Sequence, residues 1–216
     1  MSSVKEQLVI YGKKIHDAHL VVGGGGNISA RDGELVWMKP SGFAMNEMGP
    51  DDLCGMRIDT SRQVDGPHKP TSEVNMHLGV YRVRPEVKAV FHVHSPWLCG
   101  VVSAGIEMHK QVMFAEFIND LGRRATVPYV TPTTEVLADL VSGAAKEAET
   151  IFMANHGVCA VGVSMKQAFW RCLVCEDAAK SLIAATIVGK PQLLTPEQEV
   201  DLMSLSGPQH RVEMMR

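Results

Sequence analysis

Residues 87–94, VKAVFHVH, form an apolar, β-rich run that closes on two histidines one residue apart. Residues at i and i+2 of a strand project to the same face. A strand here delivers the imidazoles of His92 and His94 to one spot at its end, and the fold has to be built around that spot. Two neutral imidazoles suit zinc (Zn2+), with manganese or cobalt as alternative divalent ions. The pair also fits ordinary polar residues at a strand end, so a further donor is needed to choose. In IFMANHGVCAVG, His156 follows a second short apolar run and precedes Gly157, a turn that can present an imidazole into a cleft. Three protein ligands with an open position is the arrangement of catalytic zinc, whereas structural zinc closes with four. A substrate oxygen needs that open position.

The segments around this strand mix strands and helices. Apolar positions at helical spacing (Val4, Leu8, Val9, Tyr11, Ile15) predict a helix over 3–19 that stops before Gly23. Strands are expected at Asn27–Arg31 and Leu35–Met38, split by the Asp32–Gly33 turn, and at Leu53–Ile58. A helix is expected from near Thr71 to about Arg84, stopped by Pro85, and a short one over Pro96–Ala104. Residues 126–130 read as a strand, Val136–Glu149 as a helix, and Ile151–Ala154 with Val158–Val161 as paired strands. The last third is helical, from Ser164 as N-cap to about Val188 and again from Pro196 to about Leu205. There is no regular βαβ rhythm, so the expectation is one layered α/β domain over residues 1–216, with a strand order the sequence does not disclose.

Composition excludes some partners. A formal charge of -3 supplies no basic field for nucleic acid or acidic lipid. No apolar run approaches the roughly 18–20 residues of a membrane helix. The start, MSSVKEQLVIYGKKIHDAH, is broken by charges and is unlike a secretory signal. Five cysteines without a disulfide-framework spacing point to a reduced, cytoplasmic protein. Cys172 and Cys175 form a C-x-x-C on an apolar-periodic helix, where two small core-facing residues are the better reading than a redox or metal pair.

Other residues could serve the histidines. In KPTSEVNMHLGVY, Thr71 or Ser72 reads as a helix cap, which puts Glu73 in the first turn. A carboxylate there is either a capping partner or a general base beside the metal. His77, one turn on, reads as a supporting or core residue rather than a ligand. Anion sites are offered by Gly23–Gly26 before Asn27, by the Met38–Gly42 turn with Ser41, and by the helix start at Thr71–Ser72. None is a Walker loop or a G-x-G-x-x-G.

Taken in order, GGGGNIS, MKPSG, KPTSE, the H-x-H after AVF, TPTTE and NHG resemble the class II aldolase/adducin-head family, closest to its L-fuculose-1-phosphate aldolase branch. The similarity runs from the first helix to about residue 189. It implies a three-layer α/β/α domain around a central, mainly antiparallel sheet, and a homotetramer with active sites at subunit interfaces. By matching position it implies His92, His94 and His156 as zinc ligands and Glu73 as catalytic acid/base. It likewise implies Asn27, Ser41, Gly42, Thr71 and Ser72 as phosphate-binding residues for a small phosphorylated sugar. The implied reaction cleaves a ketose 1-phosphate to dihydroxyacetone phosphate and an aldehyde. Two departures stand out. Met113–Phe114 occupies the place of the branch's acid tyrosine, and the tail, ending HRVEMMR, lacks another tyrosine. Glu116 sits where many relatives carry an acidic residue and is a candidate to act across a subunit interface. Decarboxylation of a phosphorylated 3-oxo acid is the second reading, ahead of a 4-epimerase (which carries aspartate at the position of Glu73), a dehydratase acting on methylthioribulose 1-phosphate, or a non-catalytic adducin-type module.

Overall fold

The computed structural model describes residues 2–204. Helix α1 (Val4–Asp17) begins in a capping box, in which the Ser3 hydroxyl accepts the Glu6 N–H and the Glu6 carboxylate accepts the Ser3 N–H. β1 (Asn27–Asp32) and β2 (Leu35–Met38) form a hairpin that turns on Gly33 at φ 60. There follow β3 (Cys54–Arg57), β4 (Gln63–Asp65), α2 (Val74–Val83), β5 (Ala89–Val93), α3 (Pro96–Ser103) and α4 (Ala115–Asn119). The chain then forms β6 (Arg124–Val127), α5 (Glu135–Ala145), β7 (Thr150–Met153), β8 (Gly157–Gly162), α6 (Met165–Val188) and α7 (Pro196–Ser204).

The strands make one sheet in the order β4-β3-β2-β1-β5-β8-β7-β6, antiparallel at every step except β6–β7. That parallel step is the one whose strands are joined by a helix, α5. Alternation along the strands builds two cores. Ala89, Phe91 and Val93 of β5 pack with α1, α3, α4 and α6, while Val90 packs with α2 and α5 on the other face. The expected three layers around a mainly antiparallel sheet are therefore present. Among the described residues no helix is long and apolar enough to cross a membrane.

Several local expectations shift. Neither Thr71 nor Ser72 caps α2: Glu73 occupies the N-cap position and makes no side-chain cap bond. The stretch before it is instead tied to the neighbouring loop, where Pro40 and Pro70 form an isolated bridge and Thr71 N–H donates to the Lys39 carbonyl at 3.1 Å. The strand expected at 126–130 lies at Arg124–Val127, where it pairs with β7. Cys172 and Cys175 are free and fully buried in the α6 core, where burial pushes the Cys172 thiol up to about 12 and Cys175 higher than its usual value. The pair sits as two small residues packed in that core, as the helical periodicity implies. The tail HRVEMMR and Leu205 lie outside the described residues.

Antiparallel pairing decides where the motifs meet. The Asn27↔His92, Ser29↔Met38, Val93↔Val158 and Met153↔Gly157 registers place the start of β1, the ends of β2 and β5, and the β7–β8 turn at one end of the sheet. The glycine run, the KPSG turn, the H-x-H and the NHG turn consequently surround a single spot.

Candidate active site

His92 is completely buried at the end of β5. Its Nδ1–H donates to the Val158 carbonyl at 3.0 Å, which fixes the tautomer and leaves the Nε2 lone pair pointing out of the sheet. His94, two residues on, brings its Nε2 within 2.7 Å of that atom. His156 arrives from the β7–β8 hairpin, whose turn is made by Asn155 at φ 53, a left-handed conformation that asparagine tolerates. One ligand nitrogen from each ring falls within 4.8 Å of the others. Two glycines permit the closeness. A Cβ on Gly157 would lie 2.3 Å from the Val93 carbonyl oxygen, and one on Gly26 would lie 2.7 Å from that of His92.

Burial lowers the pKa of His92 well below the ordinary imidazole value, with the neighbouring His94 and His156 rings adding to the effect. His94 and His156 are lowered as well, again by burial first. Three neutral imidazoles thus converge. Glu73 joins them, its Oε2 3.2 Å from His92 Nε2 and its Oε1 3.6 Å from His156 Nε2. A carboxylate oxygen facing a neutral imidazole lone pair is acceptor against acceptor, so the His92 contact is not an ion pair. It is relieved by a cation placed between the groups. His156 Nδ1 and Glu73 Oε1 are also buried without a hydrogen-bond partner. The residues fit a divalent ion, and an all-nitrogen set of three leaves a position open for a ligand.

Behind Glu73 runs a buried polar chain. Asn27 donates to Glu73 Oε2 at 2.8 Å, His77 Nε2 lies 2.5 Å from Asn27 Oδ1, and His77 Nδ1 lies 2.6 Å from the Ser29 hydroxyl. The Tyr81 hydroxyl is 2.9 Å from the same oxygen. Glu73, His77 and Tyr81 are spaced four apart, so one stripe of α2 meets alternate residues of β1. Burial, helped by nearby His92 and opposed by Glu73, lowers the His77 pKa to about 3. A histidine whose folded pKa is depressed stabilises the fold above its unfolded value of about 6.5 and loses that contribution as pH falls toward the folded value. Metal-free protein accordingly loses stability from about pH 6.5 downward, by about 1.4 kcal/mol per unit from His77 alone. Urea midpoints at pH 7.5, 6 and 5 check this, and a flat midpoint would contradict it.

The cleft beside the histidines holds ≈ 340 Å³, and its wall carries Asn27, Ser41, Gly42, Thr71, Ser72, Glu73, His94 and His156. All five residues expected at the phosphate line it. Two of their amides are committed elsewhere, Ser41 N–H to the Lys69 carbonyl and Thr71 N–H to that of Lys39. The wall also carries hydroxyls and Lys39, which the sequence alone presents as part of a turn. Lys39 is 2% exposed, supplies the wall's cation, and donates to the Gly24 carbonyl at 3.1 Å. Burial lowers its pKa from the usual lysine value, a cost that an anion in the cleft would offset. Pro132 and Thr133, from the TPTTE motif, complete the rim.

Glu116 stands exposed on α4 and is not part of this wall. Phe114, immediately before that helix, packs edge-on against Phe117 and offers no hydroxyl. Tyr129 is 57% exposed just beyond β6, whose end shares the site's side of the sheet.

Comparison with known proteins decides the family. The profile of the Class II Aldolase and Adducin N-terminal domain matches residues 6–183. The chain belongs to this family. It is 35% identical over 199 residues, 91% of this chain and 92% of the relative, to a 5-deoxy-D-ribulose 1-phosphate aldolase of Bacillus thuringiensis serovar kurstaki. A 3-oxo-tetronate 4-phosphate decarboxylase of Haemophilus influenzae is 28% identical over 203 residues, covering 92% of this chain and 95% of the relative. Among solved structures, an L-fuculose 1-phosphate aldolase superposes with a TM-score of 0.81 at 29% identity, over 94% of this chain and 96% of that one. Class II aldolases are metal-dependent lyases, in keeping with the three-histidine group.

Proposed function

We propose that this lyase cleaves a ketose 1-phosphate between C3 and C4, giving dihydroxyacetone phosphate and an aldehyde. The observation that carries the reading is Glu73: a buried carboxylate with one oxygen held by Asn27 and the other unpartnered, beside three neutral imidazoles. His92, His94 and His156 hold a divalent ion, zinc by donor chemistry with manganese or cobalt as alternatives. When bound, that ion supplies Lewis-acid polarisation of the carbonyl and the adjacent hydroxyl. Asn27, Ser41, Gly42, Thr71 and Ser72 orient the phosphate, with Lys39 as its counter-charge. Glu73 gives a proton to C3 of the three-carbon fragment in cleavage and takes one from it in synthesis. The aldehyde end lacks a tyrosine at position 114. Glu116, exposed on α4 and outside the cleft wall, acts across a subunit interface of a homotetramer, and a cytoplasmic location fits the phosphorylated substrate.

The test is release of dihydroxyacetone phosphate from a panel that includes 5-deoxy-D-ribulose 1-phosphate and L-fuculose 1-phosphate, with and without chelator. Chelator-sensitive release from at least one member is the expected result. Carbon dioxide release from a phosphorylated 3-oxo acid, with no ketose cleaved, would replace this reading with the decarboxylase. That alternative draws on the Haemophilus relative and on Phe114, since decarboxylation needs no aldehyde-handling hydroxyl. Lys39→Met should raise KM for the cleaved ketose phosphate about 10–100-fold, the scale of one lost charge-assisted hydrogen bond. An unchanged KM would remove Lys39 from the phosphate site.

A further inference from the structure

The chain from Tyr81 to Glu73 contains more polar atoms than proton transfer by Glu73 requires. Tyr81, Ser29 and His77 are at most 1% exposed, so each group must satisfy itself internally. Donor and acceptor roles along the chain are forced. A carboxylate only accepts, so the Asn27 atom 2.8 Å from Glu73 Oε2 is its NH2, and Oδ1 faces His77. His77 Nε2, 2.5 Å from that oxygen, therefore carries the proton. A neutral imidazole has a single N–H, so Nδ1 accepts from Ser29, and the Ser29 oxygen accepts from Tyr81. Every bond donates toward Glu73. With the opposite His77 tautomer, a bare nitrogen would face the Asn27 carbonyl, and Asn27 would relax by flipping its own carbonyl onto the carboxylate.

We propose that His77, backed by Ser29 and Tyr81, is a positioning residue that locks the Asn27 amide with its N–H on Glu73 Oε2, so that Oε1 alone exchanges the proton with substrate carbon. This rests on Glu73 as the acid/base. It assigns the two carboxylate oxygens different tasks, in keeping with Oε1 being the one without a partner.

Two readouts test it. In 15N-histidine-labelled protein, NMR at neutral pH should show His77 as the Nε2–H tautomer, and an Nδ1–H or doubly protonated ring would overturn the proposal. In the metal-loaded protein, the maximal rate of dihydroxyacetone phosphate proton exchange should fall about 10–100-fold in His77→Leu, the scale of losing a supporting hydrogen-bond partner. Bound metal should stay at the native level. His77→Gln, whose amide N–H can still donate to Asn27, should recover most of the rate. A packing role predicts the reverse, since leucine suits an apolar wall better than glutamine. Equal rates in His77→Leu and the native protein, or no rescue by glutamine, would overturn the positioning role alone. If His77→Leu does not fold, Ser29→Ala, which keeps the imidazole but removes its donor, should slow exchange in the same direction, and an unchanged rate counts against the proposal. A native protein with the expected tautomer but no exchange would instead sink the aldolase reading and the task assigned to His77 with it.

Discussion

His94→Ala protein should bind no stoichiometric divalent metal and should exchange dihydroxyacetone phosphate protons at the uncatalysed rate. The three ring nitrogens meet within 4.8 Å, and the remaining pair, His92 and His156, would be left as a two-donor site. Catalytic zinc sites keep three protein ligands, and two give too little affinity to retain the ion through purification. The loss should reach about 10³-fold or more, because polarisation of the carbonyl disappears together with the ion. Metal analysis of the purified variant beside the exchange rate checks both halves. Native-level activity in metal-free His94→Ala protein would exclude the three-histidine centre.

Glu73→Gln should keep the metal, keep the fold and lose proton transfer by about 10²–10⁴-fold, the usual contribution of a positioned general base. Glutamine matches the volume of glutamate and can still accept from Asn27 through its oxygen. The competing role for this residue was helix capping, and the structure leaves little of it: Glu73 is the N-cap residue of α2 yet makes no side-chain cap bond. A capping role predicts a less stable protein with normal exchange. The proposed role predicts normal stability and failed exchange, so thermal denaturation and exchange measured on one preparation separate them.

The parts legible in the sequence were those governed by local periodicity or by a motif. The i, i+2 rule brings the His92 and His94 rings together, and their Nε2 atoms do lie 2.7 Å apart, although β5 ends at Val93 and His94 stands one residue beyond it. The Asp32–Gly33 hairpin and the Ser164 cap of α6 formed as read, since each depends on a few adjacent residues. What was missed depends on distant chain. β4 is three exposed residues at the sheet edge, too short and polar for an alternation signal. Thr71 does not cap α2 because its hydroxyl accepts the Glu73 N–H, one residue short of the helix, while its amide is held by Lys39, a partner 32 residues away in sequence that no local pattern announces. Lys39 itself reads as a turn lysine until the glycine run, 15 residues earlier, folds over its ammonium. His77 was expected to support the site, but its partners in β1 could only be named once β1 and β5 were known to be neighbours.

The central claim is that a bound divalent ion and Glu73 together move a proton at the carbon beside a carbonyl. Incubation of the native protein with dihydroxyacetone phosphate in heavy water tests this without any guess about the aldehyde. NMR would follow the C3 protons with and without chelator. The account predicts stereospecific exchange of one C3 proton that stops on chelation and returns with added zinc. Folded, metal-loaded protein that leaves both protons in place would contradict it.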